Sequence, residues 1–191
     1  MRILFINSSP HPHGNISQML ALMRQKAESL GATTTFIEVS RLKIHPCTGC
    51  MKCRTSLTCS LPADDAHHAV ELLHQADALV IGAPCYWGNM PGTLKLLFDR
   101  MVYGLVKKGP ANIPQPLHKG KKAIIVTACT TPYPFSQWLN QTSGVRKALK
   151  EILKWSGFKL VKCIEKAGTQ QHAELTPREA KICQKAIERL F

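Results

Sequence analysis

The sequence predicts an α/β protein, a parallel sheet with helices on both faces. Three observations predict it. Short apolar runs recur along the chain, and stretches of helical periodicity alternate with them. One of the runs, Ala78-Leu79-Val80-Ile81, is apolar throughout, as expected of a strand buried on both faces. Turn-rich blocks at 8–15, 83–90 and 128–134 each follow an apolar run, where strand ends give way to loops.

The elements follow in order. Residues 2–7 are an apolar run long enough for one buried strand. Ser8-Ser9-Pro10-His11-Pro12-His13-Gly14-Asn15 is a block of turn residues, and 16–30 reads as a helix closed by Gly31. Met19, Leu22, Met23, Ala27 and Leu30 form its apolar stripe, read as core packing. Residues 33–39 are β-branched and aromatic, a second strand. Residues 43–62 have neither period. Asp64 or Asp65 can cap a helix through His74, with Ala66, Ala69, Val70 and Leu73 inward. After the third strand and its loop, Pro91 starts a helix carrying Leu94, Leu97, Phe98 and Met101. Residues 104–120 hold Pro110, Pro114 and Pro116 and read as a long connection. A strand at 123–127, a helix at 135–155 and a strand at 158–164 come next. Thr176 with Glu179 is a capping box, and Pro177 opens the last helix.

A chain of 191 residues fits one domain, here 1–191, with the cysteine-rich stretch at about 44–62 as a loop insertion. No run reaches the roughly 18–20 apolar residues of a membrane span, so no membrane partner is expected. The N-terminus enters a strand directly and has no signal-peptide pattern, so a cytoplasmic location is expected. There the eight cysteines serve as thiols, metal ligands or redox groups, not as a disulfide framework. The formal charge of +13 favours anionic partners such as phosphates and dinucleotides. The densest basic stretch, Lys107 and Lys108 to Lys119, Lys121 and Lys122, has no interleaved aromatic residues for base stacking. It reads as a solvated loop, and nucleic-acid binding as the minor alternative.

A loop of small hydroxyl residues leading into a helix N-terminus is an anion site. This one lacks both the dinucleotide glycine spacing and the Gly-Lys-Ser/Thr of a P-loop, and suits a mononucleotide phosphate such as that of FMN. The competing reading is an ordinary strand-to-helix connection. In parallel sheets ligands sit beyond the carboxyl ends of the strands, where the three turn-rich loops fall.

Three blocks carry a resemblance to a known family. They are Ser8-Ser9-Pro10-x3-Gly14-Asn15, then Cys47-x2-Cys50-x2-Cys53-x5-Cys59 followed by Asp64-Asp65. The third is Ala83-Pro84-x-Tyr86-Trp87-Gly88-Asn89-Met90-Pro91-Gly92-x-Leu94-Lys95, ending in Asp99-Arg100. Residues 1–105 resemble the flavodoxin-like NAD(P)H-dependent FMN reductases, in particular the iron–sulfur flavoprotein branch; the remainder matches by element order. The resemblance implies a three-layer flavodoxin-like fold with a five-stranded parallel sheet of order 2-1-3-4-5 and tightly bound FMN. It implies that Ser9, His11, Asn15, Ile16 and Ser17 surround the FMN phosphate. Pro84, Cys85, Tyr86, Trp87, Gly88, Asn89 and Met90 would line the ring, and Thr127, Ala128, Cys129, Thr130 and Thr131 its polar edge. Two positions depart from the family: His11 stands where Arg is frequent, and Ile16 where Thr is. Ser17 can supply the hydroxyl, and His11 or His13 a donor.

The spacing of Cys47, Cys50, Cys53 and Cys59 is similar to the compact ferredoxin run and closer to the iron–sulfur flavoprotein motif, which implies a [4Fe–4S] cluster. Zinc, which usually takes two separated pairs, and thiols without a cluster stay open as alternatives. Cys85, Cys129, Cys163 and Cys183 read as small core residues, and His67 and His68 as an exposed helix face. The resemblance implies an NAD(P)H-dependent FMN reductase that passes electrons to a quinone, a flavin or another small-molecule or protein acceptor. The flavin would carry the chemistry, with no protein acid or base. The alternative is an electron carrier without its own substrate site. The resemblance also implies a homodimer or homotetramer.

Overall fold

The computed structural model describes residues 1–171 and 174–191. Its elements, in order, are β1 (Arg2–Asn7), α1 (Asn15–Ser29), β2 (Thr33–Glu38), α2 (Cys53–Ser56), α3 (Asp65–Gln75), β3 (Ala78–Pro84), α4 (Gly92–Arg100) and α5 (Val102–Leu105). Then come β4 (Val106–Lys108), β5 (Pro114–Pro116), β6 (Lys122–Ala128), α6 (Phe135–Trp138), α7 (Gln141–Ser156), β7 (Lys159–Lys166) and α8 (Pro177–Glu188). The main sheet has five strands in the order β2-β1-β3-β6-β7, all parallel, which is the expected 2-1-3-4-5 with the small β4–β5 hairpin set aside.

Alternation along the strands divides the core between the two faces. Leu4, Ile6, Leu79, Ile81 and Ile125 pack under α3, α4 and α7. Ile3, Phe5, Val80, Ile124 and Val126 pack under α1 and α8. A Cβ on Gly82 of β3 would stand 2.6 Å from Leu20 Cδ1, so α1 lies directly on the backbone of β3. That contact fixes the start of α1 relative to the central strands.

Four expectations are corrected. Residues 135–155 are not one helix: α6 ends at Trp138, Asn140 takes φ +55°, and α7 starts at Gln141. Asn tolerates the left-handed region, which lets the chain turn between the two helices. The connection at 104–120 is not structureless, since it holds part of α5 and the antiparallel β4–β5 pair, whose prolines sit in a two-stranded edge where missing N–H groups cost little. His67 is not on an open face: Asp64 caps α3 by accepting from Ala66 N, and His67 Nδ1 accepts the Asp64 N–H at 3.1 Å. Leu30 lies past the end of α1, 40% exposed, and leaves the apolar stripe. No helix of the described residues is long and apolar enough to cross a membrane.

Candidate functional site

The sheet order reverses between β1 and β3, because β1 connects outward to β2 while the later strands extend the other way. In register, Asn7 pairs with Gly82, and Ala83 and Pro84 pair with Thr127 and Ala128. The three turn-rich loops therefore leave three adjacent strands at one level.

The first loop is held by side chains of its own sequence. Asn7 Oδ1 accepts the Ser9 N–H at 3.0 Å, and Asn7 Nδ2 donates to Ser17 Oγ at 3.0 Å. Ser17 Oγ donates to the His11 carbonyl at 2.7 Å, and Ser9 Oγ accepts the His11 N–H at 3.2 Å. Ser8 Oγ donates to the Gly82 carbonyl at 2.9 Å. Asn7, Ser8, Ser9 and Ser17 are buried, so this network is shielded from water. Gly14 caps α1 with no side-chain hydrogen bond, which leaves first-turn N–H groups without intrahelical partners. Asn15 Oδ1 is buried and has no partner among the described residues, and rotating that amide would put a donor in its place. His11 and His13 are exposed, and Ile16 is in the core under α1.

The second loop is a tight turn. Tyr86 N–H donates to the Asn89 carbonyl at 2.9 Å and Asn89 N–H to the Tyr86 carbonyl at 3.0 Å. Trp87 and Gly88 between them have φ of +52° and +71°, as a type I′ hairpin turn demands. Trp87 stands wholly in solvent at 103% exposure, Tyr86 is 42% exposed, and Met90 turns its side chain into the core. The turn rests on α7: a Cβ on Gly144 would lie 1.7 Å from the Gly88 carbonyl oxygen.

The third loop is tied to the end of β7. Cys129 N–H donates to the Lys166 carbonyl at 3.0 Å, and Gly168 N–H to the Thr131 carbonyl at 3.0 Å. Thr127 is fully buried and its Oγ1 has no partner among the described residues. Cys85 Sγ donates to Gln141 Oε1 at 3.5 Å, and Cys129 Sγ to the Thr131 carbonyl at 3.3 Å. Burial pushes both thiols up, and for Cys129 the nearness of Cys85 adds to it, so neither is a thiolate at neutral pH. Thr130 is exposed, and Ala128 is buried against the sheet.

These features meet what a phosphate and a flat polar ring need. There is a pre-wired loop at a helix N-terminus, a short aromatic turn beside it, and two orphaned polar atoms, one in each of the flanking segments. Asn7, Gln141 and Gly144 belong to the arrangement and were missed in the sequence. A polar residue ending an apolar strand was a visible signal for Asn7. Gly144 gave none, because a glycine in a helix is indistinguishable from mere tolerance until its neighbour is known.

The cysteine loop forms a second site. It is pinned at its base, where Asp65 Oδ2 accepts the Lys43 N–H at 2.6 Å and Asp64 Oδ2 the His45 N–H at 3.0 Å. Cys47, Cys50, Cys53 and Cys59 line one cavity of about 100 Å³, together with Asp99 and Arg100. Burial, and then the like charges of Cys59, Cys47 and Cys50, raise the Cys53 thiol. The Ser60 hydroxyl, then the backbone at Lys52, lower Cys50. Among the described residues no three His, Cys, Asp or Glu side chains are placed to hold a single metal ion. A [4Fe–4S] cluster takes four thiolates, and the four cysteines on this cavity supply that donor set.

The model for proteins of flavodoxin-like fold matches residues 1–190. An iron–sulfur flavoprotein of Methanocaldococcus jannaschii is 30% identical over 100 residues, covering 52% of this chain and 51% of the relative. An FMN-dependent NADH:quinone oxidoreductase of Haemophilus influenzae is 31% identical over 127 residues, 64% of this chain and 60% of the relative. The chain spans about half the length of the iron–sulfur flavoproteins it matches. Among solved structures, an FMN-dependent NADH-azoreductase from Bacillus anthracis in complex with FMN superposes with a TM-score of 0.74 at 17% identity, over 99% of this chain and 98% of that one. That likeness concerns the fold.

Proposed function

The chain belongs to the family of flavodoxin-like fold proteins, and from that premise we propose that it is an FMN-dependent oxidoreductase that takes hydride from NAD(P)H. Electrons then pass to a quinone, a flavin or another small acceptor. The observation that carries this reading is the network of the buried Asn7, Ser9 and Ser17 side chains with the His11 backbone, which holds a loop open at the N-terminus of α1 with no side chain capping that helix. The names of the relatives, FMN-dependent NADH:quinone oxidoreductase among them, support the same reading.

Bound FMN would supply the hydride-accepting chemistry. The residues of the chain bind and orient. Ser9, His11, Asn15 and Ser17, with the first-turn N–H groups, hold the phosphate. Tyr86 and Trp87 flank the ring, and Thr127 with the backbone of 128–131 meets its polar edge. Excess positive charge, Lys107 and Lys108 included, attracts the dinucleotide phosphates. The whole chain acts as one FMN-binding domain, in a cytoplasmic homodimer or homotetramer, without a nucleic-acid partner.

The four cysteines around one cavity favour a second element, a [4Fe–4S] centre that exchanges electrons with the flavin. With it, the alternative of a relay lacking its own substrate site gains support. Anaerobic purification, an absorption spectrum and iron and sulfide assays on one sample test both readings. Flavin bands with steady-state NAD(P)H oxidation are expected. Flavin and iron without NAD(P)H oxidation favour the relay, and failure to take up added FMN overturns the flavin reading.

A further inference from the structure

The cysteine cavity has one wall that no sulfur provides. Arg100 ends α4, and its side chain is fully buried. Nη1 donates to the His45 carbonyl at 2.6 Å and to Asp64 Oδ2 at 2.6 Å, and Nη2 donates to Asp64 Oδ1 at 3.2 Å. Nε–H is buried and has no acceptor among the described residues. The same side chain lines the cavity with Cys47, Cys50, Cys53 and Cys59.

A guanidinium cannot discard a proton to relieve its burial, so an unused N–H calls for an acceptor. Burial opposes the charge on Arg100; Asp64 and then Cys59 are the hydrogen-bonding side chains that favour it. Asp64 is already committed to both Nη atoms, to the His45 N–H and to the cap of α3. Asp99, the other carboxylate on the cavity, is paired with Lys95 at 2.6 Å. Of the sulfurs on the cavity, that of Cys59 is the one that interacts with Arg100.

We propose that Arg100 is a positioning residue for the iron–sulfur centre: its Nε–H donates to the sulfur of Cys59 and raises the reduction potential of the cluster held by the four cysteines. The inference rests on the cluster reading above. Reduction adds one electron to the centre and breaks no bond. The ligand sulfurs become richer in charge, so a hydrogen bond from a cation strengthens and favours the reduced state. Asp64 keeps the guanidinium plane fixed, so the donor is in place before the electron arrives.

The test uses the full chain, reconstituted anaerobically with iron and sulfide, as wild type and R100K. Lysine retains the charge but cannot hold Asp64 and reach Cys59 with a second donor. Dithionite titration with mediators, followed by EPR, reads the midpoint potential. We expect R100K to keep its iron and to lose about tenfold in the reduction equilibrium, a downward shift of about 59 mV for one electron. A cluster in R100K with the wild-type potential and the wild-type EPR spectrum overturns the inference. Where R100K does not fold or fill, the same bond is sought in R54Q protein labelled with 15N-arginine, since Arg54 is the other arginine on the cavity. A 15N coupling to the reduced cluster supports the bond, and its absence overturns it. Wild-type protein that takes up no iron sinks the cluster reading itself and this inference with it, a result distinct from iron uptake without coupling.

Discussion

Gly144 in α7 lies against the carbonyl oxygen of Gly88, so close that a Cβ there would be 1.7 Å from that oxygen. Turn and helix meet backbone to backbone. The position of Tyr86 and Trp87 is therefore set by a helix that starts more than fifty residues later in the chain.

G144A must push the 86–89 turn away from α7. Overpacking of this kind costs about 1–3 kcal/mol. We expect urea unfolding to show that loss, and FMN titration by fluorescence to show weaker binding. Unchanged FMN affinity would separate the turn from the ring site.

S17A removes the hydroxyl that accepts from Asn7 and donates to the His11 carbonyl. Asn7 Nδ2 loses its acceptor, at about 1–3 kcal/mol, while the His11 carbonyl keeps the Gly14 N–H at 3.1 Å. An FMN dissociation constant raised roughly tenfold is expected, equal to about 1.4 kcal/mol. S17T, which keeps the hydroxyl, should retain most of the affinity.

W87A should leave stability within about 0.5 kcal/mol, because the ring is wholly exposed. If the ring stacks on a bound aromatic acceptor, that contact is worth about 1 kcal/mol, or roughly fivefold in kcat/KM. Steady-state assays with a quinone read the second effect, and thermal melts the first.

His118 sets a pH window. Burial pushes it down to about 4 from an ordinary 6.5, with Gly104 O at 2.8 Å from Nε2 and no partner at Nδ1. The unfolded chain binds the extra proton, so stability is full above about pH 6.5 and falls as the pH drops toward 4, by roughly 3 kcal/mol. Urea midpoints across this range should fall in wild type and stay flatter in H118Q.

Asp64 acts at lower pH. Burial alone would raise it, but the His45 backbone N–H and the Arg100 guanidinium hold it at about 2. Its contribution is present above the unfolded value of 3.8 and is lost as pH falls to 2. D64N strands Arg100 without its carboxylate, and we expect a loss of about 3–5 kcal/mol at neutral pH.

The layers and the sequence of elements were legible because a sheet buried on both faces writes itself as apolar runs such as Ala78-Leu79-Val80-Ile81, and each loop follows its strand, whereas the strand order came with the family resemblance. The loops were legible for the same reason. The break at Asn140 was not, since the apolar spacing of α7 continues back into α6, and Asn140 packs against Gly88, a residue far off in the sequence. The tie between Asp64 and Arg100 was not legible: Asp64 read as a candidate helix cap and Arg100 as a motif residue. Their meeting joins the N-cap of α3 to the last residue of α4, a long-range contact with no periodic signature.

The pins at the base of the cysteine loop have an evolutionary consequence. Asp64 and Asp65 grip the chain at His45 and Lys43, so the two ends of the excursion are brought together before anything in between is specified. Doubling the length of such a closed loop costs only about 0.6 kcal/mol. The segment is thus an exchangeable cassette. Its cysteines can be gained, lost or respaced while the sheet beneath keeps the three loops at the carboxyl ends of its strands.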